Sequence, residues 1–263
     1  MGCGGSKSPD VFLVRQISPE HIIIEGALVE SNYLELHGRV DKSSSLTTVL
    51  ENVATPAKPP LVEVWQKPDG AGVVVQIAKD TWSFPTRDPV VTFFDAAGKP
   101  MAALVFQSKH LQSTGDGRPV LYARGIPART DRVHTLNDMV GGHSLGEVKA
   151  SLTTADGAVM PCVGIIHRMY TGFLSELALY RVEGDGFVTS NDQIELMYRA
   201  GADKEVTNAK GEGVAYKTLD DKKVFVAAGA DAVLSLALIA ATEVNKKFEV
   251  THGQAAGGGG GGG

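Results

Sequence analysis

Short apolar or alternating segments, separated by turn residues, recur along most of the chain. The first are residues 11–14, 22–25 and 33–39, which Ser, Pro, Asn and Gly interrupt. Clearer hairpins follow, with turns at Asp95 to Gly98 and at Asp156-Gly157 between apolar runs. Turns about every ten residues favour an antiparallel sandwich or barrel over alternating strands and helices.

One segment has a different pattern. Residues 229–248, GADAVLSLALIAATEVNKKF, begin with Asp231 as a predicted N-cap and continue with apolar residues around almost the whole helical circumference. The uncharged stretch 232–242 spans about 16 Å at about 1.5 Å per residue, roughly half of a bilayer's hydrocarbon core. We therefore predict a helix that is buried inside the protein.

Three stretches resemble a known family. The hairpin VTFFDAAGKPMAALVFQSK, the strand, turn and helix KKVFVAAGADAVLSLALIAATEVNKKF, and the succession of hairpins between them are similar to the tubby C-terminal-like superfamily. This superfamily includes tubby-like proteins, LURP-one-related proteins and phospholipid scramblases, and the likeness covers roughly residues 60–250. It implies a mainly β fold: a closed antiparallel barrel of about twelve strands around a buried C-terminal hydrophobic helix.

The acylation motif, the resemblance and the Gly-rich end together predict three parts of the chain. Residues 1–10 form an N-terminal anchor, residues 11–250 form the barrel, and residues 251–263 form a flexible Gly-rich tail. A Ser/Thr- and Pro-rich connector covers residues 41–60. The pattern leaves open whether the first 55 or so residues belong to the barrel or form a separate docking segment.

Charge and cysteine content narrow the classes of function. The net charge of −5 argues against a general nucleic-acid binder. The two cysteines and seven histidines show no spacing typical of metal ligands, so we expect no metal and no cofactor. The chain has no apolar run of about 18 to 20 residues, so we expect no ordinary transmembrane helix.

The first ten residues, MGCGGSKSPD, contain an acylation motif. Gly2 and Ser6 fit the pattern of N-myristoylation, and Cys3 lies where a palmitoyl chain is commonly added. A single myristoyl chain binds a bilayer only marginally, whereas two acyl chains give stable anchoring. We therefore predict that Gly2 and Cys3 are lipidated and hold the chain on the cytosolic face of a plasma, flagellar or internal membrane.

Basic residues are clustered in one stretch of an otherwise acidic chain. They are Lys109, Arg118, Arg124, Arg129 and Arg132. Beside an acyl anchor, such cations suit anionic lipid headgroups, although mixed charge is also typical of a solvated loop. Tubby proteins bind phosphoinositides through a lysine and an arginine two positions apart, and this chain has no matching K-x-R pair.

The string GHSLG, residues 142–146, matches the G-x-S-x-G pattern of a nucleophilic serine at Ser144. That motif needs an apolar strand before it and a helix after it. Here the preceding residues are mostly polar, and Val148, Ala150 and Leu152 alternate with polar residues in the period of a strand. We therefore expect a loop that leads into a barrel strand, and no catalytic residue.

Together these patterns predict a non-enzymatic peripheral membrane protein. It would act as a lipid-binding adaptor or tethered signalling module with an unidentified protein partner. Two alternatives remain: lipid translocation, as in scramblases, and a serine acyltransferase or hydrolase that uses the GHSLG motif.

Overall fold

The hairpins of the sequence pair into one large antiparallel sheet. The computed structural model describes residues 13, 24, 26–30, 33–40, 61–68, 73–80, 90–106, 119–124, 134–137, 144–148, 151–153, 157, 159–171, 174–182, 187–188, 194–201, 204–220 and 222–243. The predicted anchor 1–10, connector 41–60 and tail 251–263 lie outside these residues.

Sixteen strands and one helix lie within the described residues. The strands are β1 (Tyr33–Val40), β2 (Leu61–Gln66), β3 (Val73–Asp80), β4 (Val90–Phe94), β5 (Pro100–Phe106), β6 (Pro119–Ala123), β7 (His134–Asn137), β8 (Ser144–Val148), β9 (Ser151–Thr153), β10 (Val159–Thr171), β11 (Leu174–Val182), β12 (Phe187–Val188), β13 (Ile194–Ala200), β14 (Glu205–Asn208), β15 (Gly213–Lys217) and β16 (Lys223–Ala227). The helix, α1, is described over residues 232–243.

Twelve of the strands close into a barrel. Strands β1 to β6 pair in order, and β6 pairs with β10. Strand β10 pairs with β11, β11 with β13, and β13 to β16 pair in order. Strand β16 then pairs with β1, which completes the ring. All these pairs are antiparallel, so the prediction of a closed antiparallel barrel of about twelve strands is confirmed.

Four short strands lie outside the ring. Strand β9 pairs with the first residues of β10, while β12, β7 and β8 form a separate three-stranded sheet. Strand β1, in contrast, is a member of the ring between β16 and β2. Residues 33–40 are therefore part of the barrel wall.

The core of the barrel is occupied by α1. Every residue from Asp231 to Ala241 is at most 3% exposed, so the prediction of a helix buried on all sides is confirmed. The two buried hydroxyls of the helix are satisfied locally, because Ser235 Oγ donates to the Asp231 carbonyl and Thr242 Oγ1 to the Leu238 carbonyl. The helix can therefore be enclosed without an unpaired hydroxyl.

The barrel has two distinct ends. Because neighbouring strands are antiparallel, successive connections alternate between them. We call the end where α1 begins the start rim; it comprises the turns 95–99 and 209–212 and residues 227–231. The opposite end, which we call the exit rim, comprises Lys204, the turn from Thr218 to Lys222, and Glu243.

Gly38 allows β1 to approach a buried tryptophan. It lies directly opposite Trp65 of β2 in the strand register. A Cβ atom at Gly38 would lie 2.6 to 2.8 Å from three atoms of the Trp65 ring. Trp65 is 2% exposed, so the ring cannot move away without displacing its neighbours. A side chain at residue 38 would therefore overpack this part of the wall.

We expect Gly38→Ala to lower the free energy of unfolding by about 1 to 3 kcal/mol, because the added methyl group overpacks the Trp65 ring. Urea unfolding measures the change. Gly201→Ala is the matched control, since a Cβ atom there meets nothing within 4 Å, and we expect a change within about 0.5 kcal/mol. Equal losses in the two variants would exclude the Trp65 contact as the cause.

Candidate functional site

The described residues that precede β1, namely Leu13, Ile24 and residues 26–30, contact the start rim. Leu13 is buried and forms a parallel bridge with Gly213, the first residue of β15. Further along, the Val29 amide donates to the Ala230 carbonyl, and the Ala232 amide donates to the Ala27 carbonyl. These backbone bonds join the N-terminal segment to the turn from which α1 begins.

Asp231 connects this segment to the helix. Its Oδ1 atom accepts a hydrogen bond from the Leu234 amide at 2.9 Å, so the prediction that Asp231 is the N-cap is confirmed. Its Oδ2 atom accepts one from the Ile24 amide at 3.1 Å. Burial and the nearby Asp231 carboxylate raise the pKa of Tyr198 well above its ordinary value. The buried carboxylate thus holds two separate parts of the chain together.

The predicted acylation sites, Gly2 and Cys3, lie outside the described residues. Their attachment point is nevertheless defined, because Leu13 is packed into the core at the start rim. Leu13 is ten positions after Cys3 in the sequence, and an extended chain of ten residue steps spans at most about 36 Å. A lipid on Gly2 or Cys3 would therefore tether the barrel by its start rim.

Strand β6 interrupts the predicted basic segment in the sequence. Lys109 and Arg118 precede the strand and lie outside the described part of the chain. Arg124 follows β6 at the start rim, where its amide donates to the Met101 carbonyl at 2.8 Å.

The other two basic residues follow Arg124 in the chain. Arg129 and Arg132 also lie outside the described residues, in the segment that leaves the barrel at the start rim. Arg124 itself is half-buried. Among the five predicted headgroup ligands, Arg124 is therefore the one that the structure describes, and the assignment of these residues to lipid headgroups stays a prediction.

Ser144 is in a strand. It is the first residue of β8, and it pairs with Asn137 of β7. Residues 144–148 and 151–153 are both strands, whereas a nucleophile elbow places the serine on a turn that leads directly into a helix. The predicted loop is therefore wrong: Ser144 itself begins a strand, and this strand belongs to the separate three-stranded sheet and not to the barrel.

The exit rim carries a charged cluster that the sequence analysis missed. The Lys217 ammonium donates to Glu243 Oε1 of α1, and Lys204 Nζ lies 3.5 Å from the same oxygen. The Lys217 side chain is 5% exposed, and its Nζ atom lies 5.3 Å from the centroid of the Trp65 ring. The ammonium groups of Lys204 and Lys217 also interact favourably with the negative, C-terminal end of the α1 dipole.

Within the described residues, two kinds of feature are absent. No group of three or more His, Cys, Asp and Glu side chains there could hold a metal ion. None of the helices in that part of the chain is long and apolar enough to cross a membrane.

Cys162 is a free cysteine, and burial raises the pKa of its thiol to about 12.

These features define a class of architecture: a closed antiparallel barrel filled by one helix, with Leu13, Ile24 and residues 26–30 in contact with the rim where that helix begins. No protein-family model, curated protein or solved structure matches the chain. Its resemblance to the tubby C-terminal-like superfamily stays a prediction.

Proposed function

We propose that this chain is a peripheral membrane protein, acylated at Gly2 and Cys3, that acts as a lipid-binding adaptor or tethered signalling module on the cytosolic leaflet. The observation that carries the proposal is the acylation motif together with the attachment of its segment at Leu13. Two acyl chains about ten residues from a packed core would hold the barrel close to the bilayer.

The filled interior supports binding on the outside of the barrel. Leu234 and Leu238 of α1, like Leu36 and Phe93 of the wall, are completely buried. Partners and lipids would then contact the rims or the outer surface. Lipid translocation by α1 would require the barrel to open, because the helix is enclosed by the wall strands.

Acylation can be tested in a eukaryotic cell with alkyne analogues of myristate and palmitate. We expect wild type to be labelled by both and to fractionate with membranes. Gly2→Ala should be soluble, because the myristoyl acceptor is gone. Cys3→Ser should keep myristate but partition only partly, since one chain binds with an association constant of about 10⁴ M⁻¹.

Gly4→Ala is the matched control, because residue 4 is a variable position of the motif and should leave labelling unchanged. The proposal also requires Met1 to be the initiator, which mass spectrometry of the N-terminal peptide checks. A wild-type protein that is unlabelled and soluble would contradict it.

A further inference from the structure

We infer that the charged cluster of the exit rim, Lys204, Lys217 and Glu243, fixes the orientation of α1 inside the barrel. This inference goes beyond the proposed function, and it depends neither on acylation nor on a membrane. It gives the cluster a role that apolar contacts do not fill, namely the selection of one packing arrangement of the helix among several of similar stability.

The surface of α1 does not by itself specify an orientation. Apolar residues cover almost its whole circumference, and residues 232–241 are at most 3% exposed. The hydroxyls of Ser235 and Thr242 donate to carbonyls of the helix itself, so these bonds attach it to no particular strand. Hydrophobic burial is non-directional, and an apolar core can keep its stability while it loses a single packing arrangement.

The two ends of α1 are held in different ways. At the start rim, residues 228–230 link the helix covalently to β16, and Asp231 accepts a hydrogen bond from the Ile24 amide. At the exit rim, side chains make the contact, because Glu243 Oε1 accepts a hydrogen bond from the Lys217 ammonium and lies 3.5 Å from Lys204 Nζ. These contacts join the last described residue of the helix to two positions of the wall.

Lys217 places a cation at a defined point on the inner wall. It lies directly opposite Val224 of β16, which is completely buried, so its side chain is on the inner face of the barrel. That side chain is 5% exposed, and its Nζ atom lies 5.3 Å from the centroid of the Trp65 ring. A buried ammonium costs free energy unless an opposite charge is close. Arrangements of α1 that move Glu243 away from Lys217 are therefore disfavoured.

Lys204 provides an independent observation. Its φ is 62°, in the left-handed region that favours glycine and costs other residues free energy. Its carbonyl accepts a hydrogen bond from the Lys217 amide at 3.2 Å, so the two lysines are neighbours at the exit rim. The chain thus keeps a lysine where glycine would be unstrained, and the ammonium group of that lysine lies beside the end of α1.

Alanine methyl NMR of the full chain tests the inference. Ala237, Ala240 and Ala241 are buried in α1, so each should give one sharp ¹³C-methyl peak if the helix has one orientation. Lys217→Met combined with Glu243→Leu replaces the ion pair with apolar side chains. We expect this variant to keep or raise the urea midpoint of wild type, because burial of the pair carries a desolvation cost. Each of these alanines should then give several peaks or one broadened peak.

The chain offers a matched ion pair that does not involve α1. Lys223 Nζ lies 3.1 Å from Glu35 Oε1, and these side chains of β16 and β1 are 43% and 24% exposed. Lys223→Met combined with Glu35→Leu makes the same chemical change, and the alanine peaks of α1 should stay single. Glu243→Leu alone should lower the urea midpoint, because the Lys217 ammonium stays buried without that carboxylate.

Single sharp alanine peaks in the Lys217→Met and Glu243→Leu variant would overturn the inference, and so would extra peaks in wild type or in the control variant. If the double variant does not fold, Lys204→Gly decides, because glycine relieves the left-handed backbone while it removes one of the two cations. We then expect broadened peaks for Ala240 and Ala241, whereas sharp single peaks would contradict the proposed role of the cluster.

Discussion

Leu238→Ala is expected to lower the free energy of unfolding by about 2 to 5 kcal/mol. Leu238 lies in the middle of α1, and its side chain is completely buried among the wall strands. Removing it deletes apolar contacts and leaves a cavity that a closed barrel cannot collapse to fill. The loss cannot come from helix propensity, because alanine is the better helix former. Urea unfolding monitored by circular dichroism measures it.

The chain offers a control with the same chemical change. Leu219 is 79% exposed on the exit rim, so Leu219→Ala should change stability by at most about 0.5 kcal/mol. If Leu238→Ala cost no more than Leu219→Ala, α1 could not be enclosed by the barrel. That result would also remove the argument that ligands are bound outside the barrel.

Asp231→Ala is expected to lower the free energy of unfolding by about 2 to 4 kcal/mol. Loss of the cap on Leu234 accounts for about 1 kcal/mol, and the Ile24 amide, left without its acceptor in a buried place, accounts for about 1 to 3. Amide hydrogen exchange should rise first at residues 27–30, because the carboxylate helps to hold that segment against α1.

Asp95→Ala is the matched control for Asp231→Ala. Asp95 Oδ1 also accepts two backbone hydrogen bonds, but its turn is exposed, so water can replace the carboxylate. We expect a loss of at most about 1 kcal/mol. The loss of free energy of unfolding in Asp231→Asn should lie between the losses of the two alanine variants. The oxygen of the asparagine amide can keep one hydrogen bond, while its NH₂ group faces a second N–H donor. Equal losses for Asp95→Ala and Asp231→Ala would show that Asp231 only caps the helix.

Some parts of the candidate site could be predicted because their signals are local. The N-cap at Asp231 needed only a capping residue before an apolar helical segment. The turn at Asp95 needed only an Asp followed by Gly98, which has φ near +80°. In both cases the partners lie within four residues of each other.

Other parts depend on residues that the chain separates widely. The Asp231 carboxylate and the Ile24 amide are 207 residues apart, and Lys223 donates to Glu35 across 188. The cluster of Lys217 and Glu243 joins a barrel strand to the end of a helix. The periodic pattern of hydrophobic residues cannot predict such pairs, because they depend on which strands become neighbours.

By itself, the sequence determined that this protein is an antiparallel sandwich or barrel with one buried helix, and the closing of the ring is a result of the tertiary structure. Hydrophobic period and turn residues are local properties, and a helix that is apolar on all sides has to be enclosed. Only the tertiary structure decided which end of the barrel each charge occupies. It brought Asp231 to the Ile24 amide and Lys217 to Glu243, because strand order and direction are set by long-range pairing.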